Sequence, residues 1–220
     1  MKHKHTTWVI VILVLVIVGA VVFRARVERF TSCMRVDYDF RMKEGITKGL
    51  VINLQNQWGA KNTYLDTRDS GCQDNALCVS ASYSRDRQGG SGYWTMIPVN
   101  GRYPVQYGDI IDLQNQWGQK NTYLDTRDSG CQGNALCVSA SHSKDRQGGS
   151  GHWKVLSAEG KSGKVMIGDK IHLQNQWGDK NTYLDTRDSG CQGNALCVSA
   201  SYSDNRDDGS GTWRIYDAPR

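Results

Sequence analysis

The stretch Leu54–Ser82, LQNQWGAKNTYLDTRDSGCQDNALCVSAS, returns as Leu113–Ser141 and again as Leu173–Ser201, at offsets of 59 and 60 residues. Over those 29 residues the second and third copies differ only at Gln119 against Asp179. Each copy runs on to a Gly-Ser-Gly-x-Trp ending, at Gly90–Trp94, Gly149–Trp153 and Gly209–Trp213. A fixed period marks one structural unit used repeatedly, each copy burying its apolar face against the others. The repeats span 46–104, 105–164 and 165–218. Within each, apolar residues alternate with polar ones over four short runs. The first run holds Ile52, Leu54 and Trp58, with Ile111, Leu113, Trp117 and Ile171, Leu173, Trp177 as its copies. The second is Thr-Tyr-Leu-Asp-Thr, where Leu65, Leu124 and Leu184 face one way and Tyr and Asp the other. The third is Leu-Cys-Val-Ser-Ala-Ser, and the fourth starts at Trp94, Trp153 and Trp213. Gly, Asn, Asp and Ser fill the turns between them, as hairpins require.

Three units of four strands make twelve strands in about 170 residues, all-β, with no helical pattern for a solenoid. Three units are too few for an ordinary propeller. A closed threefold barrel capped by hairpins removes exposed sheet edges, so a β-trefoil of three four-stranded repeats is expected. The segments Gly108–Leu113 (GDIIDL), Tyr123-Leu124-Asp125 and Gly151-His152-Trp153 resemble the repeat of lectin-like and fascin-like β-trefoil proteins. That resemblance covers 46–218 and implies a binding or adhesive module, often for sugars, rather than an enzyme. The sequence departs from the ricin type, which places Gln-x-Trp late in the repeat, whereas Gln57-Trp58 comes early. The galactose-binding residues of that family therefore do not carry over position by position.

Charge is uneven. Residues 1–45 hold 8 Lys and Arg against 4 acidic residues, and 46–220 hold 19 against 18. A nearly neutral body lacks the basic stripe that phosphates demand, so nucleic acid is not an expected partner. Trp8–Phe23 is an unbroken apolar run of 16 residues, which Thr6 and Thr7 extend to 18. That length predicts a membrane signal-anchor helix at 6–23, behind a cytoplasmic tail at 1–5. A cleavable signal peptide ending at Val18-Gly19-Ala20 is the alternative. Residues 24–45 form a juxtamembrane segment in which Val36, Tyr38, Phe40 and Met42 alternate with charged residues, predicting an extra strand.

Six of the seven cysteines make one Cys-x5-Cys pair per repeat, Cys72/Cys78, Cys131/Cys137 and Cys191/Cys197. A hairpin brings such residues within disulfide reach, and three equivalent bridges point to an oxidising compartment. Zinc and free buried thiols are the alternatives. No histidine recurs in all three repeats to complete a zinc site, since His142 aligns with Tyr83 and Tyr202. Disulfides place the C-terminal domain on the extracytoplasmic side of the membrane. Cys33 is left over, as a free thiol or a bridge to another molecule; with the 36–42 strand it offers a route to homo-oligomers or a larger assembly.

The absence of a recurring histidine also removes the base of Ser-His-Asp or Cys-His catalysis. The aspartates of Asp66/Asp69, Asp125/Asp128 and Asp185/Asp188 flank Arg68, Arg127 and Arg187, which hold them ionised rather than as the raised acid of glycoside hydrolysis. The same arginines oppose calcium, and the spacing does not match an EF-hand loop. No enzyme activity, metal or cofactor is expected. Planar amides, carboxylates, guanidinium groups and aromatic faces together suit sugar hydroxyls and pyranose faces. The candidate ligand-binding set is Asn56, Gln57, Trp58, Tyr64, Asp66 and Arg68, with copies Asn115, Gln116, Trp117, Tyr123, Asp125, Arg127 and Asn175, Gln176, Trp177, Tyr183, Asp185, Arg187. Core tryptophans, an Asp66–Arg68 ion pair and a turn-tying Asn56 are the structural alternative. Two functions follow from these residues: a membrane-anchored lectin-like domain binding carbohydrate or a glycosylated surface partner multivalently, or a structural subunit of a membrane-associated complex, surface layer or virion.

Overall fold

The computed structural model describes residues 21–24, 26, 43–69, 77–128, 135–188 and 195–218. The chain divides into two units, Met1–Lys43 and Glu44–Arg220. The second carries twelve strands: β1 (Ile52–Asn56), β2 (Tyr64–Arg68), β3 (Leu77–Ser82), β4 (Trp94–Pro98), β5 (Ile110–Asn115), β6 (Tyr123–Arg127), β7 (Leu136–Ser141), β8 (His152–Ser157), β9 (Lys170–Asn175), β10 (Tyr183–Arg187), β11 (Leu196–Ser201) and β12 (Trp213–Asp217). Alternation therefore located four strands per repeat. It placed Trp58 within the first, however, and β1 stops two residues short of it. The Asn56 Oδ1 accepts the Trp58 N–H at 3.1 Å, an Asx turn that peels the chain off the ladder.

Six strands close a ring, in which β1 pairs β12, β12 pairs β9, β9 pairs β8, β8 pairs β5, β5 pairs β4 and β4 returns to β1, every pairing antiparallel. The hairpins β2–β3, β6–β7 and β10–β11 stand on this ring. Their inner strands β3, β7 and β11 pair with one another around an approximate threefold axis. At a second threefold level, Ile46 N–H donates to Val165 O at 2.9 Å, Val165 N–H to Val105 O at 2.9 Å, and Val105 N–H to Ile46 O at 3.0 Å. All three side chains are fully buried. The core between these levels repeats in triplicate as Leu54/Leu113/Leu173, Met96/Val155/Ile215 and Trp94/Trp153/Trp213. Each of those tryptophans donates its indole N–H to a hairpin carbonyl, of Leu65, Leu124 and Leu184, at 2.9–3.0 Å. The buried N–H is thus satisfied while the ring fills the core.

The expected β-trefoil of three four-stranded repeats, preceded by a transmembrane helix, is corrected on both counts. The strands form one all-β closed antiparallel barrel, not three four-stranded units. The fourth strand of a repeat pairs along its length with the first strand of the next, from Trp94↔Asn115 to Pro98↔Ile111. It meets its own first strand at a single position, Ile52↔Trp94. Edge groups find partners across the repeat boundary, so no repeat is complete alone. As to the helix, among the described residues none is long and apolar enough to cross a membrane. Of the expected span, 6–20 lie outside the described residues, and Val21, Val22 and Phe23 belong to a short helical stretch. The tail at 1–5, the strand at 36–42, Cys33, Cys72, Cys131 and Cys191 also lie outside them.

Candidate functional site

The early tryptophans converge with charged residues of the preceding repeat at the seams between repeats. At the seam of the third and first repeats, Trp58, Arg187, Asp188, Arg206 and Asp207 line an open polar cleft of about 480 Å³. Lys61 completes it: its ammonium lies 3.8 Å from the Trp58 ring centroid and pairs with the Asp188 carboxylate. The arrangement recurs twice. Lys120 lies 3.8 Å over Trp117 and pairs with Asp69, and Lys180 lies 4.0 Å over Trp177 and pairs with Asp128.

Local sequence dictates this placement. Thr186 Oγ1 donates to Asn56 Oδ1 at 3.0 Å, and Asn56 Nδ2 donates to Ser210 O at 2.8 Å. Thr67–Asn115–Ser91 and Thr126–Asn175–Ser150 repeat the clasp. Each asparagine thereby binds the loop of the previous repeat and turns its own chain toward the tryptophan. That loop is folded by its own side chains: Gly90 N–H donates to Asp86 Oδ1 at 2.7 Å, Gln88 N–H to Ser91 Oγ at 3.1 Å. Its glycine then packs against the tryptophan turn. A Cβ on Gly209 would stand 2.4 Å from the Gln57 carbonyl oxygen, and Gly90 and Gly149 approach Gln116 and Gln176 in the same way.

The arginine of the loop is oriented from behind. Asp66 is fully buried, and its Oδ2 accepts Arg87 Nε at 2.9 Å, while Arg87 Nη2 donates to Thr67 O at 2.8 Å. Arg146 is held by Asp125 and Thr126 O, and Arg206 by Asp185 and Thr186 O, at 2.9–3.1 Å. Arg206 extends from this clamp into the cleft.

Of the sequence-predicted residues, the structure brings Trp58 and Arg187 into one cleft, with Trp117 and Arg68, and Trp177 and Arg127, as their copies. Asn56, Asn115 and Asn175 act as clasps, and Asp66, Asp125 and Asp185 as buried braces. The Gln57 Nε2 donates to Gln55 O at 3.2 Å, with Gln116 and Gln176 alike on Gln114 and Gln174. Tyr64 hydroxyl accepts from Gln55 Nε2 and Arg85 Nε, each at 3.1 Å, and Tyr183 accepts from Gln174 at 3.2 Å. Tyr123 is half-buried under Lys144, 5.7 Å from the ring centroid. Sequence reasoning missed Lys61, Lys120 and Lys180 and the arginines Arg87, Arg146 and Arg206. All six recur at equivalent positions of the three repeats, which was the available signal. Cys78, Cys137 and Cys197 are disulfide-bonded. Among the described residues no group of His, Cys, Asp or Glu is placed to hold a metal ion.

No protein-family model matches the chain, and no curated relative matches it. Among solved structures it is similar to the SDF2-like protein from Arabidopsis thaliana, at 22% identity and TM-score 0.60, covering 78% of this chain and 94% of that one. It is similar to a salivary protein from Culex quiquefasciatus of the Cysteine and Tryptophan-Rich family, at 17% identity and TM-score 0.51, covering 78% and 96%. It is also similar to part of the S. cerevisiae protein O-mannosyltransferase Pmt1-Pmt2 complex bound to the sugar donor, at 15% identity and TM-score 0.59, covering 79% of this chain and 25% of that one. At such identities the likeness is one of fold. The expected resemblance to lectin-like and fascin-like β-trefoil proteins is corrected here: SDF2-like and Cysteine and Tryptophan-Rich proteins are among the similar structures.

Proposed function

We propose that the barrel is a non-catalytic domain that binds carbohydrate on a glycosylated partner, outside the cytosol, through the three seam clefts. The observation that carries this reading is the threefold recurrence of one polar–aromatic set: a tryptophan, a lysine over it, an exposed aspartate, and two arginines. Fixed guanidinium and carboxylate groups beside an aromatic ring suit a polyhydroxylated ligand. Asp66, Asp125 and Asp185 are buried against Arg87, Arg146 and Arg206, an arrangement that orients a binding group. Bonded Cys78, Cys137 and Cys197 support an oxidising compartment, with Cys72, Cys131 and Cys191 as their proposed partners.

Three clefts on one rigid barrel favour weak single sites made avid by a target with several ligands at matching spacing. The test is a glycan array probed with the full chain, followed by Trp58→Ala, Trp117→Ala and Trp177→Ala singly and together, each variant checked for its fold by circular dichroism. Stepwise loss of avid binding, with the fold kept, supports three working clefts. A folded triple variant that binds as the parent does overturns the site. A parent that binds no glycan overturns the function and favours a structural assembly subunit.

A further inference from the structure

The three clefts differ in charge, and most of the difference lies in one loop, the rest being Asp179 beside Lys180, where the other two turns carry Ala60 and Gln119. The first repeat reads Arg85-Asp86-Arg87-Gln88-Gly89 and the second Lys144-Asp145-Arg146-Gln147-Gly148, each with one net positive charge. The third reads Asp204-Asn205-Arg206-Asp207-Asp208, two net negative. Each loop leans on the tryptophan turn of the following repeat, so the first serves the Trp117 cleft, the second the Trp177 cleft and the third the Trp58 cleft. In the third loop Asp207 pairs with Arg206 Nη1. Gln88 and Gln147 stand at that position in the other two and leave Arg87 and Arg146 paired with the buried aspartates behind them.

We infer that the Trp117 and Trp177 clefts bind an anionic saccharide through its sulfate or carboxylate, and that the Trp58 cleft does not. This rests on the carbohydrate reading above and names its ligand class. Where the Trp58 cleft has Arg187, Asp188 and Arg206, the Trp117 seam has Arg68, Asp69 and Arg87 at the equivalent repeat positions, and Lys120 pairs with the exposed Asp69. The free edge of the Arg87 guanidinium offers N–H donors in the fork geometry that sulfate and carboxylate oxygens match, and Lys120 can exchange Asp69 for the incoming anion. At Trp58 that edge is occupied by Asp207, and Asp208 adds a second repelling charge. The chain thus carries two anion-selective clefts of the three, set by residues that leave the barrel unchanged.

The test titrates the full chain with a heparin-derived oligosaccharide and with its desulfated counterpart, at low and at high ionic strength. The sulfated form is expected to bind more tightly, with a preference that salt erases. In Gln88→Asp/Gln147→Asp its affinity falls roughly tenfold at low salt, and in Asp207→Gln/Asp208→Gly it rises roughly threefold. Inorganic sulfate supplies a second readout, shifting the side-chain N–H resonances of Arg87 and Arg146 and leaving those of Arg206 in place. Equal binding of the two oligosaccharides, unmoved by either pair of substitutions, overturns the charge assignment while the carbohydrate reading stands. Failure of every glycan on the array and of both oligosaccharides overturns both.

Discussion

Thr186 and Asn56 lie 130 residues apart in sequence, and the threonine hydroxyl donates to the asparagine amide oxygen at 3.0 Å inside the protein. Asn56 also holds Ser210 O and the Trp58 N–H, so one side chain joins the last repeat to the first and turns the tryptophan into its cleft. Replacing it removes all three of these hydrogen bonds; the Thr186 hydroxyl and Ser210 O keep each other at 3.1 Å, and the Trp58 N–H loses its partner. Asn56→Ala should cost about 2–4 kcal/mol, since three hydrogen bonds are lost and each contributes about 0.5–1.5 kcal/mol. Urea unfolding of the variant checks this. Asn115→Ala and Asn175→Ala should fall in the same range, because their clasps are the same.

The seam glycines supply a graded comparison. Gly209 has φ +107°, and a Cβ there would meet the Gln57 carbonyl oxygen at 2.4 Å. Gly59 has φ +55° with nothing within 4 Å of its Cβ position. Gly59→Ala should therefore show only the left-handed backbone cost, about 1–2 kcal/mol. Gly209→Ala should exceed it clearly, because seam backbone must also move. Thermal unfolding of the two variants gives the comparison; equal losses would show the close approach to be inconsequential.

Two carboxylates should leave opposite marks on the pH dependence of stability. Burial pushes Asp169 up, but hydrogen bonds from Lys161, Tyr107 and the Met166 N–H outweigh it and hold the carboxyl below its ordinary value. Its stabilisation is present above the unfolded value of about 3.9 and is lost as pH falls through the folded one. Asp112 is raised, by burial first and by Asp145, against the lowering pull of His152 and Lys144. Its ionised form weakens the fold at neutral pH, and that loss disappears as pH falls through its raised value. Urea unfolding at pH 7 and pH 3 should show Asp169→Asn losing stability at pH 7 and little at pH 3. Asp112→Asn should gain, relative to the parent, at pH 7 more than at pH 3.

The strands were legible because each rests on local alternation and on Gly- and Asn-rich turns repeated three times. The position of Asp66 was not. Period-two reading turns Asp66 away from Leu65 and so toward solvent, yet both are fully buried. The loop from Arg85 to Gly92 covers the outer face of the hairpin and lays Arg87 on that carboxylate, 21 residues downstream. Pairing across such a distance depends on how a loop folds back, which periodicity does not encode. The seam clefts were hidden for the same reason: Trp58 meets Arg187 and Asp188 only once the barrel has closed. The repeat-to-repeat strand pairing likewise depends on closure.

The Lys61 ammonium sits over Trp58 and beside Asp188, and this contact has two possible roles, a seam fastener or a movable cover. Energetics favour the cover. Asp188 is 72% exposed and Lys61 32%, so water screens the pair, and such pairs contribute about 0.2–1 kcal/mol. The cation–π contact adds about 0.5–1 kcal/mol at an exposed site. Against them stand the buried clasp of Asn56 and the fully buried Asp185 brace, which hold the same seam. Lys61→Met keeps the apolar stem over the ring and removes the charge, and should cost about 1 kcal/mol or less. Lys61→Met, Lys120→Met and Lys180→Met together should cost no more than about 3 kcal/mol, close to additive because the three seams share no side chain. Urea unfolding at low and high salt separates the roles. A triple variant that remains folded, with a deficit that shrinks in salt, identifies the lysines as covers a ligand can displace. A loss of several kcal/mol at one position, unaffected by salt, would make them part of the barrel's closure.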